Sequence, residues 1–196
     1  MRRAIIFATH NQHKVDEVSE ILAPLGVQVI GGAECNLPDV EETGKTFEEN
    51  AIIKALAGVK ILSRPVLAED AGLCIEGLDG APGVYSARFA QSHGGFDNTF
   101  KYIADALKDK SRKAYYTSSM VLAFSETEYY VFTGYMHGQM AESPSGTNGF
   151  GYDPMFIPDG FDTTLGHIDA ETKNKISHRS KAIQQVYKFL ETIKKG

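Results

Sequence analysis

The stretch RAIIFATHNQHKVDEVSEILAPLGVQVI, residues 3–30, decides the fold class. Its apolar run Ala4-Ile5-Ile6-Phe7-Ala8, within residues 3–9, reads as a buried strand. Asn11 stands where it can cap a following helix, whose apolar stripe is Val15, Val18, Ile21, Leu22 and Leu25. Gly26 stops that helix, and residues 27–30 read as a second short strand.

The alternation continues downstream. Thr46-Phe47-Glu48-Glu49 is a capping box, in which the Thr46 hydroxyl meets the Glu49 amide and the Glu49 carboxylate reaches back. The helix it opens carries Ile52, Ala55, Leu56, Val59 and Leu62 on one face. Residues 66–68 read as a strand that ends in Glu69-Asp70-Ala71-Gly72. Residues 77–95 are glycine-rich and read as an irregular loop, followed by a helix from near Asp97 with Phe100, Ile103, Ala104 and Leu107 inward. Two long strands, residues 113–124 and 129–140, are joined by a short polar turn. A second glycine-rich loop, 143–151, precedes a last helix capped by Ser177, with Ala182, Ile183, Val186, Phe189, Leu190 and Ile193 as its stripe. Early alternation with a late hairpin predicts an α/β protein with a mixed sheet.

Composition narrows the function classes. The net charge of −5 argues against general nucleic-acid binding, which draws on basic surface meeting phosphate. No run approaches the roughly 20 apolar residues that span a bilayer, and the apolar stretch behind the basic Met1-Arg2-Arg3 is too short for a signal peptide. The expected compartment is the cytoplasm. Cys35 and Cys74 form no CxxC pair, and the six histidines show no HExxH or HxH spacing.

Five segments carry candidate chemistry. ATHNQHK, at a strand-to-helix junction, offers backbone amides plus Thr9, Asn11 and Lys14 to an anion, although it lacks the glycine spacing of a Walker loop. Taken alone it reads more readily as an ordinary capped helix with an exposed lysine. In EETGKTFEEN, Glu48 and Glu49 are explained by capping and the helix dipole, which leaves Glu41 and Glu42 as candidate ligands for a hard cation. LAEDAGL places Glu69 and Asp70 at the expected rim of a sheet, where α/β proteins hold their sites. GTNGFGYDP combines flexible glycines with two stacking faces, Phe150 and Tyr152, and with Asp153 held extended before Pro154. Lys173 and Ser177-His178-Arg179 supply donors near the last helix.

Taken together, THNQHK, EETGKTFEENA, LAEDAGL, GAPGVYSARF, GTNGFGYDP and KNKISHRSKA resemble the inosine triphosphate pyrophosphatase family over nearly the whole chain. The resemblance implies hydrolysis of non-canonical purine nucleoside triphosphates (ITP, dITP, XTP) to monophosphate and pyrophosphate, with Mg2+ as cofactor. It implies one domain over residues 1–196, an elongated, twisted mixed sheet wrapped by helices, with two lobes flanking a nucleotide-binding cleft, and a homodimer. By position, Asp70 resembles the general base and a magnesium ligand, and Glu42 a second ligand. Thr9, His10, Asn11, Gln12, His13 and Lys14 resemble the phosphate-binding segment, and Ala71 a backbone contact to the nucleotide. Phe150, Gly151, Tyr152, Asp153, Lys173, His178 and Arg179 resemble the nucleotide and base pocket. Glu69 and Ala71 stand where that family usually shows Asp and Ser, and His10 where glycine is common. No nucleic-acid or membrane partner is expected. A pyrophosphatase of other specificity and a non-hydrolysing nucleotide sensor are the competing readings; Glu42, Glu69 and Asp70 argue against the sensor, because binding alone needs no base.

Overall fold

A computed structural model describes residues 3–195; Met1 and Arg2, from the basic start weighed above, lie outside the described residues. The elements are β1 (Arg3–Phe7), α1 (Gln12–Leu22), β2 (Val27–Gly31), α2 (Phe47–Leu62), β3 (Val66–Ile75), α3 (Ser86–Ser92), α4 (Phe96–Ala106), β4 (Lys113–Ala123), β5 (Tyr129–Met140), β6 (Phe156–Pro158), α5 (Ala170–Ile176) and α6 (His178–Lys195). Six strands form one sheet in the order β2-β1-β3-β4-β5-β6. β1 runs parallel to both β2 and β3, while β5 and β6 are antiparallel, so the sheet is mixed as expected. Among the described residues, no helix is long and apolar enough to cross a membrane.

The local signals act as read. The Asn11 side chain accepts from the His13 amide and so caps α1. Thr46 and Glu49 form the reciprocal capping box of α2. Gly26 adopts φ 67° where the first helical stretch ends, after a 3-10 turn over Ala23–Leu25.

The chain divides into two compact units. The first takes residues up to Asp70, Ser118–Gly134 and those from Arg179 onward; the second takes Ala71–Thr117 and Tyr135–His178. In the first unit, strand alternation sorts the apolar side chains into two cores. Ile5, Phe7, Leu67, Met120 and Leu122 meet α1 and α6 through Val18, Leu22, Ile183 and Val186. Ile6, Val66, Ala68, Val121 and Ala123 meet α2 through Ala51, Ala55 and Val59. The second unit has its own core, in which Phe100, Ile103 and Leu107 surround Leu73, Ile75, Tyr116, Met136 and Phe156.

Five expectations change. β3 does not stop at Ala68; it runs unbroken through Glu69-Asp70-Ala71-Gly72 to Ile75, so the two acids lie within a strand rather than at its end. Residues 77–95 contain α3 and two 3-10 turns (Glu76–Leu78 and Gly83–Tyr85), not only loop. Lys173 belongs to a separate helix, α5, whose C-cap, Ser177, directly precedes the last helix, α6. The most buried face of α2 comprises Asn50, Ala51, Ala55, Gly58 and Val59; small residues let that helix approach the sheet closely, with Ile52 and Leu56 at its margin. On α6, Ile193 is exposed and falls outside the stripe assigned to it.

Candidate active site

The continuity of β3 decides what its two acids can do. Successive side chains on a strand point to opposite faces. Glu69 therefore shares the α1 and α6 face with Leu67, and Asp70 shares the α2 face with Ala68 and Val66. Neighbours in sequence, they serve different constellations.

On the α1 and α6 face, Glu69 is fully buried among cations. Arg179 donates from Nε to both Glu69 oxygens at 2.9 and 3.1 Å, Lys14 Nζ lies 2.9 Å from Oε2, and the Ser118 hydroxyl donates to Oε1 at 2.7 Å. Arg179 Nη1 is bound in turn by Glu17 Oε2 at 2.8 Å. Burial alone would raise the Glu69 carboxyl, but Arg179 and Lys14 outweigh it and hold the group well below the usual carboxylate range. The Arg179 guanidinium is itself opposed by burial and raised by Glu69 and Glu17.

On the α2 face, Asp70 is buried and accepts from Asn50 Nδ2 at 3.0 Å. The Asn50 carbonyl oxygen accepts the Gly44 amide at 2.8 Å, so one side chain ties Asp70 to the loop that carries Glu42. A Cβ on Gly44 would lie 2.6 Å from that oxygen, so the loop depends on glycine here. Lys54 Nζ is 2.5 Å from Glu42 Oε1 and 3.9 Å from Asp70 Oδ1. Burial is the largest influence on Asp70 and raises its carboxyl, against the pull of Lys54 and Asn50 and with the help of Glu42. Glu42 and Asp70 thus address a common point that a cation already occupies. Glu41 enters no contact of this kind.

The segment from Thr9 to Lys14 wraps the start of α1. Thr9 Oγ1 accepts the Asn11 amide at 3.2 Å, and Gln12 Nε2 donates to Asp16 at 2.8 Å. His10 turns to the 37–39 segment, with Nε2 3.0 Å from the Leu37 carbonyl oxygen and Nδ1 2.9 Å from Asp39 Oδ1. His13 contributes its amide to the Asn11 cap.

In the second unit, Asp153 organises GTNGFGYDP. Its Oδ2 accepts the Phe150 amide at 2.8 Å and lies 2.5 Å from the buried Lys173 Nζ. That ammonium also sits 4.5 Å from the centre of the half-exposed Phe150 ring, a cation–π contact. Tyr152 is the anchor of the motif, because its buried hydroxyl donates to the Ser86 carbonyl at 2.7 Å and burial pushes its pKa up to about 12. His178 stacks on Tyr116 with centroids 4.8 Å apart and planes 10° apart. Ala71 lies in β3, and Gly151 takes φ 66°. Gly149 has φ 74°, and a Cβ there would fall 2.0 Å from Asp153 Oδ2. Gly149→Ala is expected to cost about 2–4 kcal/mol from left-handed backbone and overpacking together; an unchanged melting temperature would refute the constraint.

Asn50, Lys54, Glu17 and Ser118 complete these constellations and were not singled out from sequence. One signal was available: Asn50 and Lys54 are four residues apart, hence on one side of α2, and Asn50 interrupts a face otherwise made of small apolar residues.

A mixed α/β sheet with paired carboxylates against lysine on one face, and a buried Asp–Lys pair under an aromatic ring in the second unit, defines a class that comparison with known proteins resolves. The sequence profile of the Ham1 family matches residues 5–189, and the chain belongs to that family. It is 43% identical over 190 residues to a dITP/XTP pyrophosphatase of Ruegeria pomeroyi, covering 94% of this chain and 93% of the relative. It is 42% identical to the Bacillus subtilis dITP/XTP pyrophosphatase, covering 97% and 98%. A solved structure of a HAM1 protein from Coxiella burnetii superposes with a TM-score of 0.88 at 37% identity, over 97% of this chain and 99% of the other. The family expected from the motifs is the one found.

Proposed function

We propose that this protein hydrolyses non-canonical purine nucleoside triphosphates (ITP, dITP and XTP) to the monophosphate and pyrophosphate. The observation that carries the reading is the placement of Glu42 and Asp70 about one lysine ammonium, on the opposite face of β3 from the neutralised Glu69. The names of the relatives in Ruegeria pomeroyi and Bacillus subtilis support the substrate class.

Among the described residues no three His, Cys, Asp or Glu side chains group as a metal site. Two carboxylates and a triphosphate nevertheless suit magnesium, which is usually held by one or two carboxylates plus substrate oxygens and water. Glu42 and Asp70 would hold the ion. When bound, magnesium supplies charge neutralisation of the triphosphate and a more acidic water. The residues do the rest. Asp70, whose carboxyl burial raises above its ordinary value, accepts the proton of the attacking water. Asn50 fixes the carboxylate through Oδ2. Lys54 offers positive charge beside Glu42 and Asp70, where phosphate charge builds up during reaction.

Base recognition is assigned to Phe150, Lys173 and His178. Hypoxanthine and xanthine present an acceptor at C6 where adenine presents a donor, so a donor in the pocket leaves ATP mispaired, a mismatch worth up to about 10⁴-fold in favourable sites. Arg179 was grouped with these donors from sequence; its Nε and Nη1 bind Glu69 and Glu17, which supports a role in holding Lys14 and Glu69 in place. We further propose that the chain works as a homodimer in the cytoplasm, on the strength of the family resemblance; a monomer mass in sedimentation would count against the first part.

The test is incubation with ITP and magnesium, with the products identified. Inosine monophosphate and pyrophosphate are expected, together with loss of turnover on chelation by EDTA and a rate on ATP lower by at least about 10²-fold. Inosine diphosphate and orthophosphate, or equal rates on ATP and ITP, would overturn the reading.

A further inference from the structure

We propose that Asn148 is a positioning residue for base selection, because its side chain ties the base loop to the start of the helix that carries Lys173. The inference deepens the function proposed above and rests on that reading for the roles of Phe150 and Lys173. Asn148 donates twice to one short segment. Its backbone amide donates to the Gly166 carbonyl at 2.9 Å, and its side-chain Nδ2 donates to the Ile168 carbonyl at 3.2 Å. Carbonyls two residues apart are those that a neighbouring strand would meet with two of its own amides. Here Gly149 turns the chain away at φ 74°, and the Asn148 side chain supplies the second rung. The two segments lie too close for side chains between them. A Cβ on Gly166 would fall 2.3 Å from the Ser145 carbonyl oxygen, which accepts the buried Thr164 hydroxyl at 2.6 Å.

What the tie holds is the spacing of the pocket. Ile168 is buried in the core of the second unit. The next residue, Asp169, caps α5 by accepting the Thr172 amide at 2.8 Å, and its carbonyl accepts the Lys173 amide at 2.9 Å. α5 has only 7 residues, too few to be stable on its own hydrogen bonds, so its bearing depends on what holds its ends. On the other side of Asn148, Gly149 leads directly to Phe150. The contacts close into a ring: Phe150 to Asp153, Asp153 to Lys173, back along α5 to Ile168, and across to Asn148. The Lys173 ammonium and the Phe150 ring, 4.5 Å apart, are both members of it. Without the side-chain tie the loop can shift against α5, and a base on Phe150 no longer meets Lys173 in register.

The bond has one polarity. A carbonyl oxygen can only accept, so the donor must be the Asn148 amide NH2. Ionised aspartate has the same shape but presents only acceptors, and it sets a carboxylate against that carbonyl. Glycine removes the tie without adding a repulsion. Asn148→Asp is therefore expected to do more harm than Asn148→Gly, an order that loss of side-chain bulk would not produce.

Two measurements on the full chain test this. The first is kcat/KM for ITP and for ATP, with magnesium, in the parent and both variants. One hydrogen bond corresponds to about a two- to tenfold change, so the ITP value is expected to fall by that factor in Asn148→Gly and further in Asn148→Asp. ATP, mispaired in the pocket from the outset, is expected to lose less, so the preference for ITP narrows. Equal losses on the two nucleotides, or a milder effect of aspartate than of glycine, would overturn the proposal. The second is hydrogen exchange at the Phe150 amide, which donates to Asp153 and reads the tie without turnover. It is expected to quicken in both variants, and an unchanged rate would sink the positioning role. If the parent releases no pyrophosphate from ITP, the proposed function fails, while the exchange rates still report on the tie.

Discussion

Asp70→Asn is expected to lower pyrophosphate release from ITP by about 10²–10⁴-fold, the range for loss of a general base, while making the substrate-free protein more stable. The two effects have one cause. Asp70 is buried on the α2 face of β3, and burial raises its carboxyl above the ordinary value. A carboxyl raised on folding is one whose charge the fold disfavours, so it detracts from stability above its unfolded value and ceases to do so as pH falls below it. Asparagine removes that charge, keeps the shape and still accepts from Asn50 through its amide oxygen. A rise in Tm of about 2–4 °C at neutral pH is expected for each kcal/mol relieved in a chain of this size. The gain should vanish at acidic pH, where Asp70 is protonated in both states. Turnover within a few-fold of the parent would remove Asp70 from the mechanism; a lower Tm at pH 7 would show that Asp70 holds Lys54 and Asn50 more than burial penalises it.

Glu69→Ala should do the opposite, unsettling the fold of the first unit before it touches chemistry. Glu69 is the shared acceptor of Arg179, Lys14 and Ser118, with Glu17 on the far side of the guanidinium. Removing one partner of a buried ion pair leaves the other charge uncompensated, typically at about 3–5 kcal/mol. Because the Glu69 carboxyl is held far below its unfolded value, its contribution is fully present above about pH 4–5 and is lost as pH falls. Thermal melts from neutral to acidic pH should therefore show a large gap between parent and variant that narrows on acidification. Equal melting temperatures at pH 7, or parallel pH profiles, would contradict the network. Glu69→Gln keeps the volume and one acceptor and is expected to fall between the two, which separates charge from packing.

The contrast between these neighbours shows where sequence reading stops. The capping box at Thr46 and Glu49, the Asn11 cap and the glycine at 26 act over a few residues, and each appears in the structure as read. The glycine-rich run 77–95 concealed α3, since glycines marked its flanks and hid the short helix within. Glu69-Asp70 looked like the polar end of a strand, because a pair of acids inside a covered sheet is costly without partners. The partner that makes it tolerable for Glu69 is Arg179, 110 residues away. Lys54 was equally silent, since a lysine on an amphipathic helix ordinarily reads as solvated surface.

The sequence by itself determined that the chain is a mixed α/β protein and, through LAEDAGL, GTNGFGYDP and the Ser177-His178-Arg179 triplet, which family it belongs to. Those properties are written in periodicity, caps and motifs, all of them local. Only the tertiary structure decided the division of labour between adjacent acids. It sent Glu69 to Arg179 and Lys14 and set Asp70 beside Asn50, Lys54 and Glu42, because strand alternation separates neighbours and folding joins residues far apart along the chain.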